Sequence, residues 1–290
     1  MDTTQQSTIG KYLSLIKFSH TIFAMPFALI GFFLGVRQSE APLNWKLFAL
    51  MILCMIFARS AAMAFNRYID RSFDGANPRT RIREIPSGLI RPGSAFIFVI
   101  LNCLLFVSTT WFINKLCFCL SPVALLVILG YSYTKRFTAL CHLILGVGLS
   151  LAPIGAYLAV TGKFALLPVL FSFTVLFWVS GFDIIYALQD EEFDRSQGLK
   201  SIPVYLGTVN ALRFSTLLHL LSVLMVSYAG YSASFGITYW SGALLFAALL
   251  VYQHSLVKPG DLSKVNLAFA TTNGIASIIF STFVLAELLT

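Results

Sequence analysis

The chain has 290 residues, 58% of them hydrophobic and only 11% charged, with a formal net charge of +8. A soluble globular protein carries about 25% charged residues, so this composition excludes a water-soluble fold and points the positive balance at a membrane surface or an anionic substrate, not at nucleic acid. Most of the sequence falls into apolar runs of about 20 residues, long enough to cross a bilayer core, without the alternation of a lipid-facing barrel, which leaves helices as the spanning structure.

Nine spans are predicted in chain order: 13–36, 44–69, 94–113, 116–134, 138–160, 164–189, 208–231, 236–256 and 264–288. The first run contains Lys17 and His20 and shows no small-residue cleavage site, so it reads as a span and not as a cleaved leader. Connections are short except from about Asp70 to Gly93 and from about Asp190 to Thr208. Fifteen Lys and Arg residues fall on the side of the N-terminus, four (Arg37, Lys46, Lys115, Lys163) on the other, and Arg59 lies inside a span. The positive-inside rule then puts the N-terminus and both long loops in the cytoplasm and the C-terminus outside. The expected fold is an all-α polytopic membrane protein, one domain over residues 1–290, with nine transmembrane helices around a central cavity capped by cytoplasmic loops.

The first long loop opens with Asn66–Gly88, the most charged stretch of the chain, with Arg67, Arg71, Arg79, Arg81 and Arg83 among its bases. Asn66, Asp70 and Asp74 are spaced i, i+4, i+8 and share one face of a helix. Carboxylates hold Mg²⁺ and arginines hold phosphate oxygens, so the stretch suits a polyanion bridged to protein by divalent cations. The second long loop follows Asp183, Tyr186, Asp190 and Asp194, again on one helical face. Asp183 lies within the apolar span, where an unpaired charge costs several kcal/mol or is neutralised. Each segment carries a D-x-x-x-D pair at the end of an even-numbered span, then bases, then a proline (Pro86, Pro203), the pattern of a weak internal duplication with its copies facing each other across a cavity. Charged loops at helix ends are usually solvated caps; two matching copies on one side make that the weaker account here.

Arg59 sits seven residues before Asn66 among Ala58, Ser60, Ala61, Ala62 and Ala64, in register to point into the same cavity as Asn66, Asp70 and Asp74. Tyr131 and Lys135, an i, i+4 pair ending the fourth span, are by themselves ordinary interfacial anchors. The histidines (His20, His142, His219, His254) and the five cysteines show no ligand spacing and read as packing residues.

The segments NRYIDRSFD, DIIYALQDEEFD and YSYTKR resemble the two aspartate motifs and the intervening basic motif of the UbiA superfamily of intramembrane prenyltransferases, and motif order and loop positions agree over nearly the whole chain. NPRTRIREIPSG is similar to the branch that prenylates aromatic carboxylic acids in quinone biosynthesis, and KFSHTIFAMPFAL to a subgroup some of whose members act on a dihydroxynaphthoate. The resemblance implies Mg²⁺, a polyprenyl diphosphate donor and an aromatic acid acceptor, with 4-hydroxybenzoate the expected acceptor and 1,4-dihydroxy-6-naphthoate the alternative. It implies metal ligation by Asp70, Asp74, Asp190, Asp194 and Asn66, and substrate binding by Arg59, Asn66, Arg79, Arg83, Lys135, Asp183 and Tyr186. It makes Tyr131, Asp190 and Arg59 the catalytic candidates. The partners expected are these two substrates and the bilayer of a bacterial-type plasma membrane, with no nucleic acid and no obligate protein partner. Outside the enzyme class, intramembrane charge and a weak repeat also describe a secondary transporter, which would more often place its charges near the midplane.

Overall fold

The computed structural model describes residues 8–16, 23–40 and 42–290. Among these residues the regular elements are helical, and there is no strand beyond a single bridge between Lys258 and Asp261. The helices are α1 (Thr8–Leu15), α2 (Met25–Ser39), α3 (Trp45–Ile69), α4 (Arg71–Ala76), α5 (Pro92–Trp111) and α6 (Lys115–Thr134) in the first half. They continue with α7 (Cys141–Thr161), α8 (Leu166–Ala187), α9 (Glu191–Ser196), α10 (Ile202–Ser232), α11 (Ile237–Leu256) and α12 (Asn273–Leu289). Seven helical stretches are long and apolar enough to cross a membrane: α3, α5, α6, α7, the run from α8 through α9, α10, and α12 with the turn before it. The chain is therefore a polytopic membrane protein.

The first predicted span, 13–36, is not one helix: α1 ends at Leu15 and a new helix starts at Met25, with Pro26 in its first turn. Lys17 and His20 lie outside the described residues. The 15 residues of α2 rise about 22 Å, short of a hydrocarbon core of about 30 Å. α11 has 20 residues, but Tyr239, Gln253 and His254 lower its apolarity. The other predicted spans agree with helices to within a few residues, and local chemistry explains their ends. Asn44 caps α3 by accepting the Leu47 N–H at 3.1 Å, Asn114 caps α6 by accepting that of Cys117 at 2.9 Å, and Pro92 opens α5. Gly207, at φ 73° and ψ 163°, breaks α10 after one turn, so the helix proper begins at Thr208, as predicted.

α8 is the staff of the molecule, packed between α7 and α10. Gly146 lets α7 close on the Leu176 carbonyl of α8, and Gly31 lets α2 close on the Pro153 carbonyl of α7, both approaches that a Cβ would block. One side of α8 is solid. Trp178, Phe27, Phe171, Phe246, Phe280 and Tyr239 are fully buried there, with rings 5–6 Å apart in tilted or edge-on contacts. Across α7 from α8 lies a chamber of about 400 Å³ between α3, α5, α6 and α7, with apolar walls of residues such as Met51, Leu120, Val127 and Leu149. The chamber is lined mainly by helices of the N-terminal half. At its far end, Asn114 donates to the carbonyls of Leu158 (2.8 Å) and Ala159 (3.2 Å), tying the α5–α6 turn to α7. Beyond that tie lies a second cavity of about 380 Å³ that shares Ile113 and Ala159 with the first.

Candidate active site

Both aspartate segments end a long helix in the same way. α3 stops at Ile69, Asp70 takes φ −88° and ψ 6°, and the six-residue α4 restarts with Asp74 as its fourth residue. α8 stops at Ala187, a single 3₁₀ turn ends at Asp190 (φ −107°, ψ 5°), and the six-residue α9 restarts with Asp194 as its fourth residue. The predicted single helical face is therefore a kinked one. The backbone ladder persists through the first kink, with Asp70 N–H on the Asn66 carbonyl at 2.9 Å and Asp74 N–H on the Asp70 carbonyl at 2.8 Å. The i, i+4 spacing survives because these kinks bend the helix without ending it.

Basic residues draw the two segments together. Arg79 lays its guanidinium along Asp190, Nε to Oδ1 at 3.0 Å and Nη2 to Oδ2, and donates from Nη1 to the Tyr186 hydroxyl at 2.9 Å. Asn77 adds a bond to the same Asp190 oxygen at 3.0 Å. Arg83 holds Asp74 at 2.6 Å, and Lys135 holds Asp194 at 2.7 Å. Arg136 reaches Asp70 at 2.9 Å, and Asn66 donates to the other oxygen of Asp70 at 3.0 Å. The dipeptide Lys135–Arg136 at the end of α6 thus clips one residue of each segment. Both loops and this dipeptide share one end of the bundle, as the sequence predicts. Burial holds the Asp70 carboxyl above the usual carboxylate range, against the opposing pull of Arg136.

Asp74 and Asp194 are buried, at 6% and 1% exposure, and each gives one oxygen to a cation. The second oxygen of each is buried and has no hydrogen-bond partner. Buried carboxylate oxygens are rarely left so, and two at matching positions suit hard divalent cations. Among the described residues no three His, Cys, Asp or Glu side chains stand close enough to hold a metal ion by themselves. The structure brings the four predicted aspartates to one end and pairs each with a base.

Arg59 and Tyr131 line the top of the apolar chamber. The Arg59 Nε is buried without a partner. Tyr131 is within electrostatic reach of Asp70, Asp183, Arg59 and Arg67, which places it where the charged end meets the chamber. Asn66, Asp70 and Asp74 do not line the chamber; they stand beyond its top, at the helix end. Asp183, which the sequence leaves in need of a partner, has one: its Oδ2 lies 2.7 Å from Nδ1 of His142, a buried side chain on α7.

Sequence reasoning gives no role in the site to Arg136, Asn77 or His142. The adjacent Lys135–Arg136 pair and the position of Asn77 in a charged loop were weak signals for the first two. Nothing in the spacing marks His142, because its partner is 41 residues away on another helix.

A family model described as "UbiA prenyltransferase family" matches residues 24–278. The chain is 31% identical over 228 residues to a 4-hydroxybenzoate octaprenyltransferase of Tolumonas auensis, covering 79% of each chain. It is 31% identical over 261 residues to one of Aeromonas salmonicida, covering 88% of each. The apo structure of a UbiA homolog from Aeropyrum pernix K1 superposes with a TM-score of 0.82 at 29% identity, covering 92% of this chain and 98% of that one. A UbiA homolog from Archaeoglobus fulgidus bound to GPP and Mg²⁺ shares the fold with a TM-score of 0.76 at 24% identity, covering 97% and 100%.

Proposed function

This chain belongs to the UbiA prenyltransferase family and is a prenyltransferase, and on that premise we propose that it transfers a polyprenyl group from its diphosphate to a ring carbon of an aromatic carboxylic acid, in respiratory quinone biosynthesis. 4-Hydroxybenzoate is the acceptor that the names of its curated relatives support. The observation that carries the reading is a junction: two basic-capped aspartate segments stand directly above an apolar chamber whose top holds a buried arginine.

Asp70, Asp74, Asp190 and Asp194, with Asn66, would hold Mg²⁺; the unpartnered oxygens of Asp74 and Asp194 fit that ion, and the Archaeoglobus homolog binds it with GPP. Bound there, it would supply positive charge against the diphosphate. Arg79, Arg83 and Lys135 bind the diphosphate oxygens, exchanging part of their present carboxylate contacts for phosphate ones. Preorganised cations of this kind stabilise the leaving pyrophosphate as the allylic C–O bond breaks. The prenyl chain lies in the apolar chamber. Arg59 grips the acceptor's carboxylate, and Tyr131 orients its hydroxyl, so that a ring carbon faces the allylic carbon. That ring carbon forms the new C–C bond and gives its proton to the departing pyrophosphate, which leaves with the C–O electron pair. Asp183, Tyr186 and Asp190 complete the wall on the other side.

We also assign α2 and α11 to the membrane, which makes nine spans, and place the N-terminus and the site on the cytoplasmic face of a bacterial-type plasma membrane. The fifteen-to-four bias of basic residues supports this.

The test is a Mg²⁺-dependent assay on purified protein with a labelled polyprenyl diphosphate. One reaction holds 4-hydroxybenzoate and a second holds 1,4-dihydroxy-6-naphthoate. Product in the first supports the reading as stated. Product in the second alone moves the acceptor and keeps the mechanism. No product and no pyrophosphate from either overturns both.

A further inference from the structure

α12 is entered through a turn that is not α-helical. Leu267–Thr272 form a π turn, a wide turn that places one extra residue in the helix and is often found at functional sites. An extra residue rotates the N-terminal side of the helix by about 100° relative to its C-terminal side. The turn is held by one side chain. Asn273, fully buried, donates from Nδ2 to the carbonyls of Ala268 (3.1 Å) and Phe269 (2.9 Å) and accepts the Trp178 indole N–H at 3.0 Å. It satisfies carbonyls that the wide turn leaves out of the α ladder and pins them to α8.

The rotation has a target. Trp178, Phe182 and Tyr186 are spaced i, i+4, i+8 along one face of α8. Phe269 packs against two of them, 5.5 Å from Phe182 and edge-on, and 4.1 Å from Tyr186 at an interplanar angle of 30°. Tyr186 is the residue whose hydroxyl accepts from Arg79 and whose ring lies 5.3 Å under the same guanidinium. Arg79 in turn spans both oxygens of Asp190. A continuous line of contacts therefore runs Asn273, π turn, Phe269, Tyr186, Arg79, Asp190.

We propose that Phe269 and Asn273 are positioning residues for the diphosphate end of the reaction: Asn273 keeps the π turn, the turn sets Phe269 against Tyr186, and Tyr186 fixes the guanidinium plane of Arg79. Arginine recognises phosphate through a planar fork, so its orientation matters as much as its charge. This rests on the reading of Arg79 as a diphosphate-binding residue.

The experiment compares wild type with Phe269→Leu, Phe269→Tyr and Asn273→Leu, each alone and with Arg79→Lys, all as purified full chain. Phe269→Leu keeps the site apolar while removing the ring, and Asn273→Leu keeps the branched outline of Asn273 while removing its hydrogen bonds. Inorganic pyrophosphate binding in the presence of Mg²⁺ is measured by calorimetry, and KM is measured for geranyl diphosphate and for the acceptor. The expected result for Phe269→Leu is a loss of about three- to tenfold in pyrophosphate affinity, the size of one aromatic contact. KM for geranyl diphosphate rises in parallel, and KM for the acceptor stays where it was. Phe269→Tyr restores the wild-type value, and Asn273→Leu reproduces Phe269→Leu. On Arg79→Lys neither change has further effect, since residues acting through one contact are not additive. Wild-type affinity in Phe269→Leu, equal rises in both KM values, or full additivity with Arg79→Lys overturns the proposal. Wild-type protein that binds no pyrophosphate overturns the diphosphate site beneath it.

Discussion

The two aspartate segments share a backbone and differ in who neutralises them. In each, a kink carries one aspartate and a six-residue helix carries a second, buried, at its fourth position. The first segment supplies its own base, with Arg83 on Asp74 nine residues away, and exports Arg79 to Asp190 in the second. The second segment supplies none to the site. Its Arg195 is spent on an exposed pair with Glu191 inside α9, and Asp194 depends on Lys135 from α6. The cations that meet these four aspartates all come from the N-terminal half. A duplicated carboxylate frame is thus served by one-sided positive charge, on the side that also holds the chamber.

The equivalence of the two frames is tested by Asp74→Asn and Asp194→Asn. Each keeps its shape and should lower pyrophosphate release about 10²- to 10³-fold, the loss typical of a single preorganised electrostatic contact to the transition state. A large difference between the two would break the symmetry. Chelation of divalent cations should abolish turnover in wild type, and added Mg²⁺ should restore it. The one-sidedness is sharpened by two conservative changes. Arg79→Lys keeps charge and loses the two-pronged contact, and should raise KM for the prenyl diphosphate about tenfold. Arg83→Lys, which replaces a one-oxygen contact, should raise it by about threefold or less. Arg59→Met should raise KM for the acceptor about tenfold, the share of one charged hydrogen bond, and leave KM for the diphosphate alone.

The smallest effect concerns Asp70. Its folded carboxyl is held above the ordinary range by burial. Between its unfolded and folded pKa the native state binds more protons, so stability falls as pH rises through that window. Asp70→Asn should therefore raise Tm at neutral pH in chelator, and the gain should shrink as the pH is lowered; thermal unfolding at several pH values measures it.

The periodic parts of this molecule were legible. Apolar runs marked helices such as α3 and α7 to within a few residues, because burying a run of that length in a bilayer leaves little choice of structure. The D-x-x-x-D pairs and Arg59 were legible for the same reason, since local spacing fixes which side chains share a face. Partnership was not. Arg136 meets Asp70 across 66 residues and His142 meets Asp183 across 41, and no local pattern encodes either distance. The break between α1 and α2 was read through although Lys17, Ser19, His20 and Pro26 interrupt the run there, whereas the π turn at Leu267–Thr272 was invisible, because it is held by a side chain, Asn273, that lies after it.

The tie made by Asn114 has a consequence for the cavities on either side of it. A chamber of about 400 Å³ and a second cavity of about 380 Å³ meet at Ile113 and Ala159. Two hydrogen bonds from one asparagine hold the turn between them against α7, and the walls on the chamber side are hydrocarbon that water does not wet. The turn that carries Asn114 is thus a partition between two neighbouring spaces, and its hold on α7 rests on a single side chain.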